Sequence, residues 1–425
     1  MRPGASARRA GKDEGRRSHS HGRSFKQRTA KKSTRPLAAM DKRAPPGSRR
    51  GRVAERHLTE FPILQFGASR FLQAHVDLFV SDALPRGEAM GRIAVAGTTG
   101  SPESRRRIAA FAKGQPYRVQ IKGLAGGTIV DEGVEVKSVG SGVDAATQWD
   151  ELERLFVAAR CAVSNTADRG YETEPNDRPD AGPPRSFPAK LAKLLLARHS
   201  VGAEPITLFP CELTPGNGRV LRGVVLEILD RWQAPETARC WVADECVWVN
   251  SLVDRIVSEP LEPLGAVAEP YALWAIEDQP GLELPCRHSA IVVAGDLKPY
   301  ERLKLFILNL GHTYLAEIWK QEGGAPRLAV REAMADATMR ARLDALYDEE
   351  VLPVFAAIGM GDEAQAYLKT VVERFSNPFL DHRLSEIFTN HDAKKRRRFG
   401  GLIELAEANG VRLSQPRLKT ALASA

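Results

Sequence analysis

The sequence has little of what a membrane protein or a disulfide-stabilised protein requires. No apolar run approaches the ~20 residues that a membrane-spanning helix needs. The five cysteines are scattered and form no CxxC pair, so neither a disulfide framework nor a structural zinc site is indicated. This pattern favours a protein of the reducing cytoplasm that holds no metal and does not enter a membrane.

Acidic residues are scarce only at the amino-terminal end. Residues 1–56 contain 18 lysines and arginines against four acidic residues, so the rest of this +8 chain is mildly acidic. Residues 1–57 also have almost no large apolar side chains, which predicts a disordered basic leader. The leader could be a solvated tail, a segment that binds nucleic acid by charge, or a segment that is not translated, because Met40 is an in-frame start. We favour the last interpretation, which the intact mass of the native protein tests.

Residues 58–253 alternate short apolar runs with amphipathic segments. The runs at 61–67, 93–97, 161–164 and 205–210 each end in a glycine or a polar loop, and 117–136 is typical of a hairpin. Buried strands that alternate with helices predict a Rossmann-like, doubly wound α/β domain. The runs within 327–409 have helical periodicity, so we expect residues 254–425 to form an all-helical second domain, with 260–290 irregular.

The first strand is followed by a turn suited to phosphate binding. Gly67 and Ser69 precede the helical segment that begins near Phe71, and such a strand–turn–helix unit can hold a pyrophosphate. A Rossmann site for NAD normally has an acidic residue at the end of the second strand, yet Thr98 stands there and Arg105 follows closely. The expected cofactor is NAD, and the sequence leaves NADP open.

One helical segment, residues 299–313, has polar side chains that an apolar helix would not otherwise contain. At ~100° per residue, Lys304, Asn309 and His312 fall on one side of a helix. A buried lysine tends to lose its proton near neutral pH and suits general acid–base chemistry at an alcohol or ketone. Asn309 could stabilise an oxyanion and His312 could orient a hydroxyl. A structural role for all three residues is the alternative.

The spacing Lys-x4-Asn-x2-His resembles the signature of the polyol-specific long-chain dehydrogenases, the mannitol dehydrogenase family, which includes reductases of fructuronate and tagaturonate. Residues 67–75 resemble the family's Gly-x-Gly-x-Phe-x-x-Ala-His, although Ser69 replaces the second glycine. Residues 163–166 match its Val-Ser-Asn-Thr, and Pro-Cys-Glu-Leu-x3-Asn-Gly at 210–218 resembles the hexuronate reductase branch, whereas polyol dehydrogenases tend to have Cys-Asp-Asn.

The resemblance also implies roles for individual residues. Asn165 and Thr166 are expected on the nicotinamide side of the cleft, and Asn217 is expected to face Asn309 as a second oxyanion donor. Three further residues are expected to bind substrate: Asp254, Arg374 and His382. Arg374 is expected to clamp substrate oxygens, and His382 or Arg383 could hold a carboxylate. The basic run 394–398 is interpreted as a solvated helix start without a function.

The resemblance implies an oxidoreductase that interconverts a tagaturonate-like ketohexuronate and its hexonate with NAD, with Lys304 as acid and base and no metal. A polyol 2-dehydrogenase acting on mannitol, altritol or arabinitol is the alternative. A third hypothesis is a nucleic-acid binder built on an inactive dehydrogenase, against which the intact Lys-Asn-His set argues. We expect a small-molecule substrate, no nucleic acid, and a monomer or small homo-oligomer.

Overall fold

The computed structural model describes residues 59–166 and 170–423. The predicted leader at 1–57, with the alternative start at Met40, lies outside this part of the chain. Within it, no helix is long and apolar enough to cross a membrane.

The described residues contain thirteen strands in three sheets. They are β1 Ile63–Phe66, β2 Ile93–Gly97, β3 Tyr117–Ala125, β4 Thr128–Val136, β5 Val139–Asp144, β6 Cys161–Ser164, β7 Thr207–Pro210, β8 Val247–Trp248, β9 Ser251–Asp254, β10 Val257–Pro260, β11 Gly265–Ala268, β12 Leu273–Glu277 and β13 Ile291–Ala294.

The largest sheet has six parallel strands in the order β5-β2-β1-β6-β7-β8. Counted along the chain within this sheet, the order is 3-2-1-4-5-6, which is the doubly wound dinucleotide-binding order. All residues of β1, β2, β6 and β7 are buried, because helices cover both faces of a parallel sheet. The predicted Rossmann-like fold is therefore confirmed.

The segment 260–290, interpreted from the sequence as irregular, contains strands. β11 pairs with β3 and β10 in a four-stranded sheet, and β12 pairs with β9 and β13 in a three-stranded one. The irregular interpretation is wrong because β11 is completed by pairing with β3, which lies far earlier in the chain and which no local pattern signals. Consequently the helical region begins at Lys298 rather than at residue 254.

The helices accompany the large sheet first and then form the second region. They are α1 Arg70–Gln73, α2 Val76–Ala83, α3 Pro102–Phe111, α4 Trp149–Ala158, α5 Phe187–Ser200, α6 Asn217–Arg231, α7 Glu236–Cys240, α8 Lys298–Leu303, α9 Leu310–Gln321, α10 Val330–Ala335, α11 Ala337–Leu346, α12 Leu352–Ala357, α13 Gly361–Phe375, α14 Leu384–Ile387, α15 His391–Lys395, α16 Gly401–Ala408 and α17 Pro416–Ala423.

A π-helical turn, Lys304–Asn309, joins α8 to α9 and makes one continuous helix. This central helix lies in the core of the helical region, and nearly every residue from Phe306 to Trp319 is buried. The Tyr347 hydroxyl donates to the Ile307 carbonyl over 2.9 Å. A side chain at Gly311 would overlap that hydroxyl, so glycine is required where the helix contacts Tyr347. The polar side of the central helix is thereby fixed in orientation.

Candidate active site

A cavity of about 650 Å³ lies where the carboxyl edge of the large sheet faces the central helix. Parallel α/β sheets bind their ligands at this edge. The cavity is lined by Phe71, Asn165, residues 212–215 and 251–256, Glu301, Lys304, Leu305, Leu308, Asn309, His312, His382, Arg397 and Arg398. Lys304, Asn309 and His312 therefore share the cavity wall, as the helical spacing predicted.

The Lys304 ammonium sits at the junction of the two regions. Its Nζ donates to the carbonyl oxygen of Val253, at the end of β9, over 2.7 Å. Burial lowers the pKa of Lys304, while the nearby Asp254 carboxylate opposes this shift. The side chain remains partly open to the cavity, so the amine can exchange a proton with a bound molecule. A lysine in this setting is suited to general acid–base chemistry.

Asn309 and His312 present unused hydrogen-bonding groups to the cavity. Among the described residues, no partner bonds the Asn309 side-chain amide, although its backbone oxygen accepts from Arg398 and Thr313. The His312 ring packs against Phe375, with 4.2 Å between ring centroids, and edge-on against His382. Burial lowers the pKa of His312 well below 6.5, so the ring is neutral and can donate one hydrogen bond.

Asn217 does not face Asn309, and the expectation of a second oxyanion donor there is wrong. Its amide nitrogen donates to the carbonyl oxygens of Pro210, Glu212 and Ser251. Its amide oxygen accepts from the backbone nitrogens of Gly218 and Ser251. The side chain is fully buried and does not line the cavity. Asn217 therefore connects three backbone segments through hydrogen bonds: the one at 210–212, the start of its own helix, and the one at Ser251.

Arg374 does not line the cavity either, contrary to the expectation that it binds substrate. Its guanidinium forms paired hydrogen bonds to Asp254 and to Glu269, all 2.8–2.9 Å long. Its side chain is only 2% exposed. Asp254 does line the cavity, but both of its carboxylate oxygens are occupied, one also by the Tyr367 hydroxyl. Among the three predicted substrate residues, only His382 lies on the wall without such an ion pair, and burial lowers its pKa.

The nucleotide residues predicted from the sequence meet at the switch point between β1 and β6. Gly67 has a φ of 107°, and a side chain there would collide with the Asn165 carbonyl oxygen at 2.6 Å. The Ser69 hydroxyl accepts from the Leu72 backbone nitrogen and donates to the Asn165 amide oxygen. Phe71 stacks on His75 and reaches the cavity. The glycine permits the close strand–loop approach that a dinucleotide site requires.

Glu212 holds the neighbouring loop in place, a role that the sequence did not reveal. Its carboxylate accepts from the Ser164 hydroxyl, from the backbone and hydroxyl of Thr166, and from the Tyr171 hydroxyl. Thr166 is thereby fixed beside Asn165, which donates to the Cys211 carbonyl. Thr98 follows β2 at the same sheet edge but does not line the cavity. These residues fit a dinucleotide along this edge.

The basic run 394–398 is not a solvated helix start. Lys395 is buried, and Arg397 and Arg398 line the cavity. The available signal was Phe399, which follows the run directly and, being apolar, requires part of the segment to be buried. No cluster of three or more metal-ligating side chains occurs among residues 59–166 and 170–423.

Comparison with known families matches nearly all of the described chain. Residues 62–284 match a model described as the mannitol dehydrogenase Rossmann domain, and residues 296–424 match the mannitol dehydrogenase C-terminal domain. The boundary between the two matches falls just before the first residue of α8.

Two curated relatives have the same name. Altronate oxidoreductase of Bacillus subtilis (strain 168) is 30% identical over 381 residues, which is 83% of this chain and 77% of the relative. Altronate oxidoreductase of Klebsiella pneumoniae subsp. pneumoniae is 30% identical over 390 residues, 85% of this chain and 78% of the relative.

Two solved structures have the same fold. A substrate-free D-sorbitol dehydrogenase superposes with a TM-score of 0.75 at 20% identity, covering 87% of this chain and 80% of the other. Pseudomonas fluorescens mannitol 2-dehydrogenase was solved as a ternary complex with NAD and D-mannitol. It superposes with a TM-score of 0.66 at 20% identity, covering 86% of this chain and 79% of the other.

Proposed function

Because the chain belongs to the mannitol dehydrogenase family and is thus a dehydrogenase of CH–OH groups, we propose that it interconverts a ketohexuronate and its hexonate with NAD. The observation that carries this proposal is the desolvated amine of Lys304 on the cavity wall, beside the free amide of Asn309. The finer assignment to a tagaturonate-like substrate is supported by the curated relatives named altronate oxidoreductase.

The switch-point residues support a dinucleotide along the sheet edge that opens into the cavity, where Phe71 and Asn165 form part of the wall. Gly67, Ser69 and Asn165 would hold it along the sheet edge, with Phe71 and Thr166 beside them. The mannitol 2-dehydrogenase of the same fold binds NAD, which supports NAD here. When bound, the nicotinamide supplies the hydride that turns a ketone carbon into an alcohol carbon, and accepts it in the reverse direction.

The central helix provides the remaining chemistry. In reduction, the protonated Lys304 amine gives its proton to the ketone oxygen, and in oxidation the neutral amine removes the hydroxyl proton. The Asn309 amide donates a hydrogen bond to that oxygen while it carries developing negative charge. Neutral His312 donates to a neighbouring hydroxyl and fixes the orientation of the sugar chain. The Val253 carbonyl holds the amine in place between turnovers.

A polyol 2-dehydrogenase is the second candidate, and one observation favours it. Arg374, a cation expected to clamp substrate oxygens, is engaged by Asp254 and Glu269 and does not reach the cavity. Leu213 argues against the polyol dehydrogenase. It lies on the cavity wall and is 69% exposed, at the position where the polyol enzymes tend to have the asparagine of Cys-Asp-Asn. The Leu213 position therefore favours the hexuronate branch.

We propose a reducing cytoplasm as the compartment. All five cysteines are free thiols, and four of them are buried. Such cysteines suit a cell interior where thiols stay reduced.

A substrate panel tests the proposed reaction. The full chain is assayed with D-tagaturonate and D-fructuronate in the presence of NADH or NADPH, and with mannitol, altritol and arabinitol in the presence of NAD⁺. We expect turnover of a hexuronate with NADH. Replacement Lys304→Met removes the proton donor, and we expect kcat to fall roughly 10²- to 10⁴-fold.

Lys298→Met is the matched control, because Lys298 is exposed on the same helix and does not line the cavity. It should retain wild-type kcat. Turnover of polyols alone would move the assignment to the second candidate. Equal activity of Lys304→Met and wild type would contradict the role of the lysine.

A further inference from the structure

A sugar-acid substrate requires a cation in the cavity, and the residues expected from the sequence, Arg374 and His382, do not supply it. Arg374 is enclosed in a buried ion pair, and burial lowers the pKa of His382, which disfavours its charged form. A carboxylate transferred from water into a protein site needs charge-assisted hydrogen bonds to replace its hydration. The source of those bonds has to be another group on the cavity wall.

Arg398 reaches the cavity from the π-helical turn Arg396–Gly400. Its Nη1 donates to the Asn309 carbonyl oxygen over 2.9 Å and to the Thr313 hydroxyl over 2.6 Å. These two bonds attach the guanidinium to the central helix beside His312, which lies between Asn309 and Thr313 in the sequence. No carboxylate among the described residues pairs with Arg398, so its remaining N–H groups stay available.

Arg397 lies beside Arg398 on the same wall and also lacks an ion-pair partner in the described part of the chain. The other carboxylates of the cavity are engaged elsewhere or form no ion pair with these arginines. Glu212 accepts from Ser164, Thr166 and Tyr171, and Asp254 pairs with Arg374. Arg397 and Arg398 are close enough for their charges to interact, and neither has a counter-ion among the described residues, so this end of the cavity is positively charged.

We propose that Arg397 and Arg398 bind the carboxylate of the substrate and thereby select a sugar acid over a neutral sugar. The proposal rests on the proposed function, because it places the carboxylate at the end of the sugar chain opposite to the carbonyl that meets Lys304. A planar guanidinium binds a carboxylate in paired, directional hydrogen bonds, and a neutral hydroxymethyl group cannot form them equally well.

Paired substrates that differ only at this end test the proposal. For wild type, Arg397→Gln, Arg398→Gln and Arg398→Lys, kcat/KM is measured with D-tagaturonate and with D-tagatose, which has a hydroxymethyl group instead of the carboxylate. Each glutamine variant should lower kcat/KM for the hexuronate roughly 10- to 100-fold, mainly through KM, because one charged hydrogen-bonding partner is lost. The value for tagatose should change less than about threefold, and Arg398→Lys should recover part of the loss.

Arg396→Gln is the matched control, since Arg396 is exposed like Arg397 and adjacent to it in sequence but is absent from the cavity wall. An unchanged hexuronate-to-ketose ratio in both glutamine variants, or an equal loss in Arg396→Gln, would overturn the proposal. Wild-type reduction of tagatose with no preference for tagaturonate would overturn it while leaving the lysine chemistry intact.

Calorimetric binding of D-tagaturonate to the same proteins gives a readout that does not depend on turnover. Binding to wild type that weakens in the two glutamine variants supports the arginine site, even if neither sugar is reduced and the proposed function fails. Absence of hexuronate binding, or equal affinity in all variants, contradicts it.

Discussion

At the scale of single residues, the site depends on the surroundings of one amine. Burial removes water from Lys304, and the cations Arg374 and Arg397 further disfavour its charged form. Asp254 and Glu269 act in the opposite direction, because their negative charges favour the ammonium. The balance lowers the pKa of Lys304 from 10.5. An amine with a lowered pKa can both give and accept a proton during turnover.

The pH dependence of the two reaction directions should report this pKa. Alcohol oxidation requires the neutral amine, so kcat/KM should rise with pH to a plateau, with its midpoint below the ordinary lysine pKa of 10.5. Ketone reduction requires the ammonium, so its kcat/KM should fall as pH rises through the same midpoint. Arg397→Gln removes a cation that opposes protonation of Lys304 and so raises the pKa of that amine. The midpoints of both pH profiles should therefore move to higher pH.

Rate profiles of wild type, Arg397→Gln and the control Arg396→Gln check this expectation. A midpoint at or above pH 10.5 in the wild-type profiles would show that the Lys304 amine is not desolvated. A shift toward lower pH in Arg397→Gln would contradict the assigned sign of the interaction.

The sequence predicted those residues whose arrangement is local. Lys304, Asn309 and His312 belong to one helix, so helical spacing alone placed them on one wall. Arg374 was misplaced because its partners are distant: Glu269 is 105 residues and Asp254 120 residues away. Asn217 was misplaced because it also bonds Ser251, 34 residues away, besides groups near it in the chain. Spacing along the chain contains no information about which buried carboxylate an arginine will meet.

At the scale of secondary structure elements, four strands of the large sheet and the β3–β4 hairpin were predictable, whereas β5 and the strands from β8 onward were not. β1 and β7 are apolar runs that end in turn residues, which is the usual sign of a buried strand. β11 and β12 are short, and they exist because β3 and β9 supply their hydrogen bonds. Non-local pairing of this kind stabilises strands that have weak local preference.

The start of α6 illustrates how one side chain joins several elements. Asn217 lies at the first position of that helix and bonds the end of β7 and the start of β9. Its five hydrogen bonds satisfy backbone groups that are enclosed by protein. A buried group that loses its partner costs about 1–3 kcal/mol.

Asn217→Ala should therefore lower the free energy of unfolding by about 2–4 kcal/mol. Asn309→Ala should change it by less than about 1 kcal/mol, because no side-chain hydrogen bond is lost, while kcat falls roughly 100-fold through loss of the oxyanion donor. Urea unfolding and steady-state kinetics of both variants distinguish the two roles. A stable Asn217→Ala protein with a selective loss of kcat would restore Asn217 as an oxyanion donor.

At the scale of the whole molecule, a buried ion cluster connects the strand-rich region to the helices. Arg374 at the end of α13 pairs with Asp254 of β9 and with Glu269, which follows β11. The guanidinium also lies over the Tyr271 ring, 4.4 Å from its centroid. We propose that the second domain begins near residue 254, with this cluster as its link to the first. It contains strands up to Ala294 and becomes helical from Lys298.

Replacement of Arg374 should consequently destabilise the fold before it affects substrate binding. Arg374→Leu leaves two buried carboxylates without their ion-pair partner, because Asp254 and Glu269 are each less than 5% exposed. Loss of one partner from a buried ion pair costs about 3–5 kcal/mol. The control Arg331→Leu breaks the Arg331–Asp381 pair, whose side chains are 34% and 72% exposed. Such an exposed pair contributes about 0–1 kcal/mol.

Thermal and urea unfolding of the two leucine variants measure the difference, and the KM for the hexuronate is determined under conditions where each variant stays folded. The ion cluster predicts a large loss of stability in Arg374→Leu and almost none in Arg331→Leu. An Arg374→Leu protein as stable as wild type but with a strongly raised KM would show that the arginine contacts substrate. The cluster would then open during binding, because Arg374 can reach a ligand only by leaving Asp254 or Glu269.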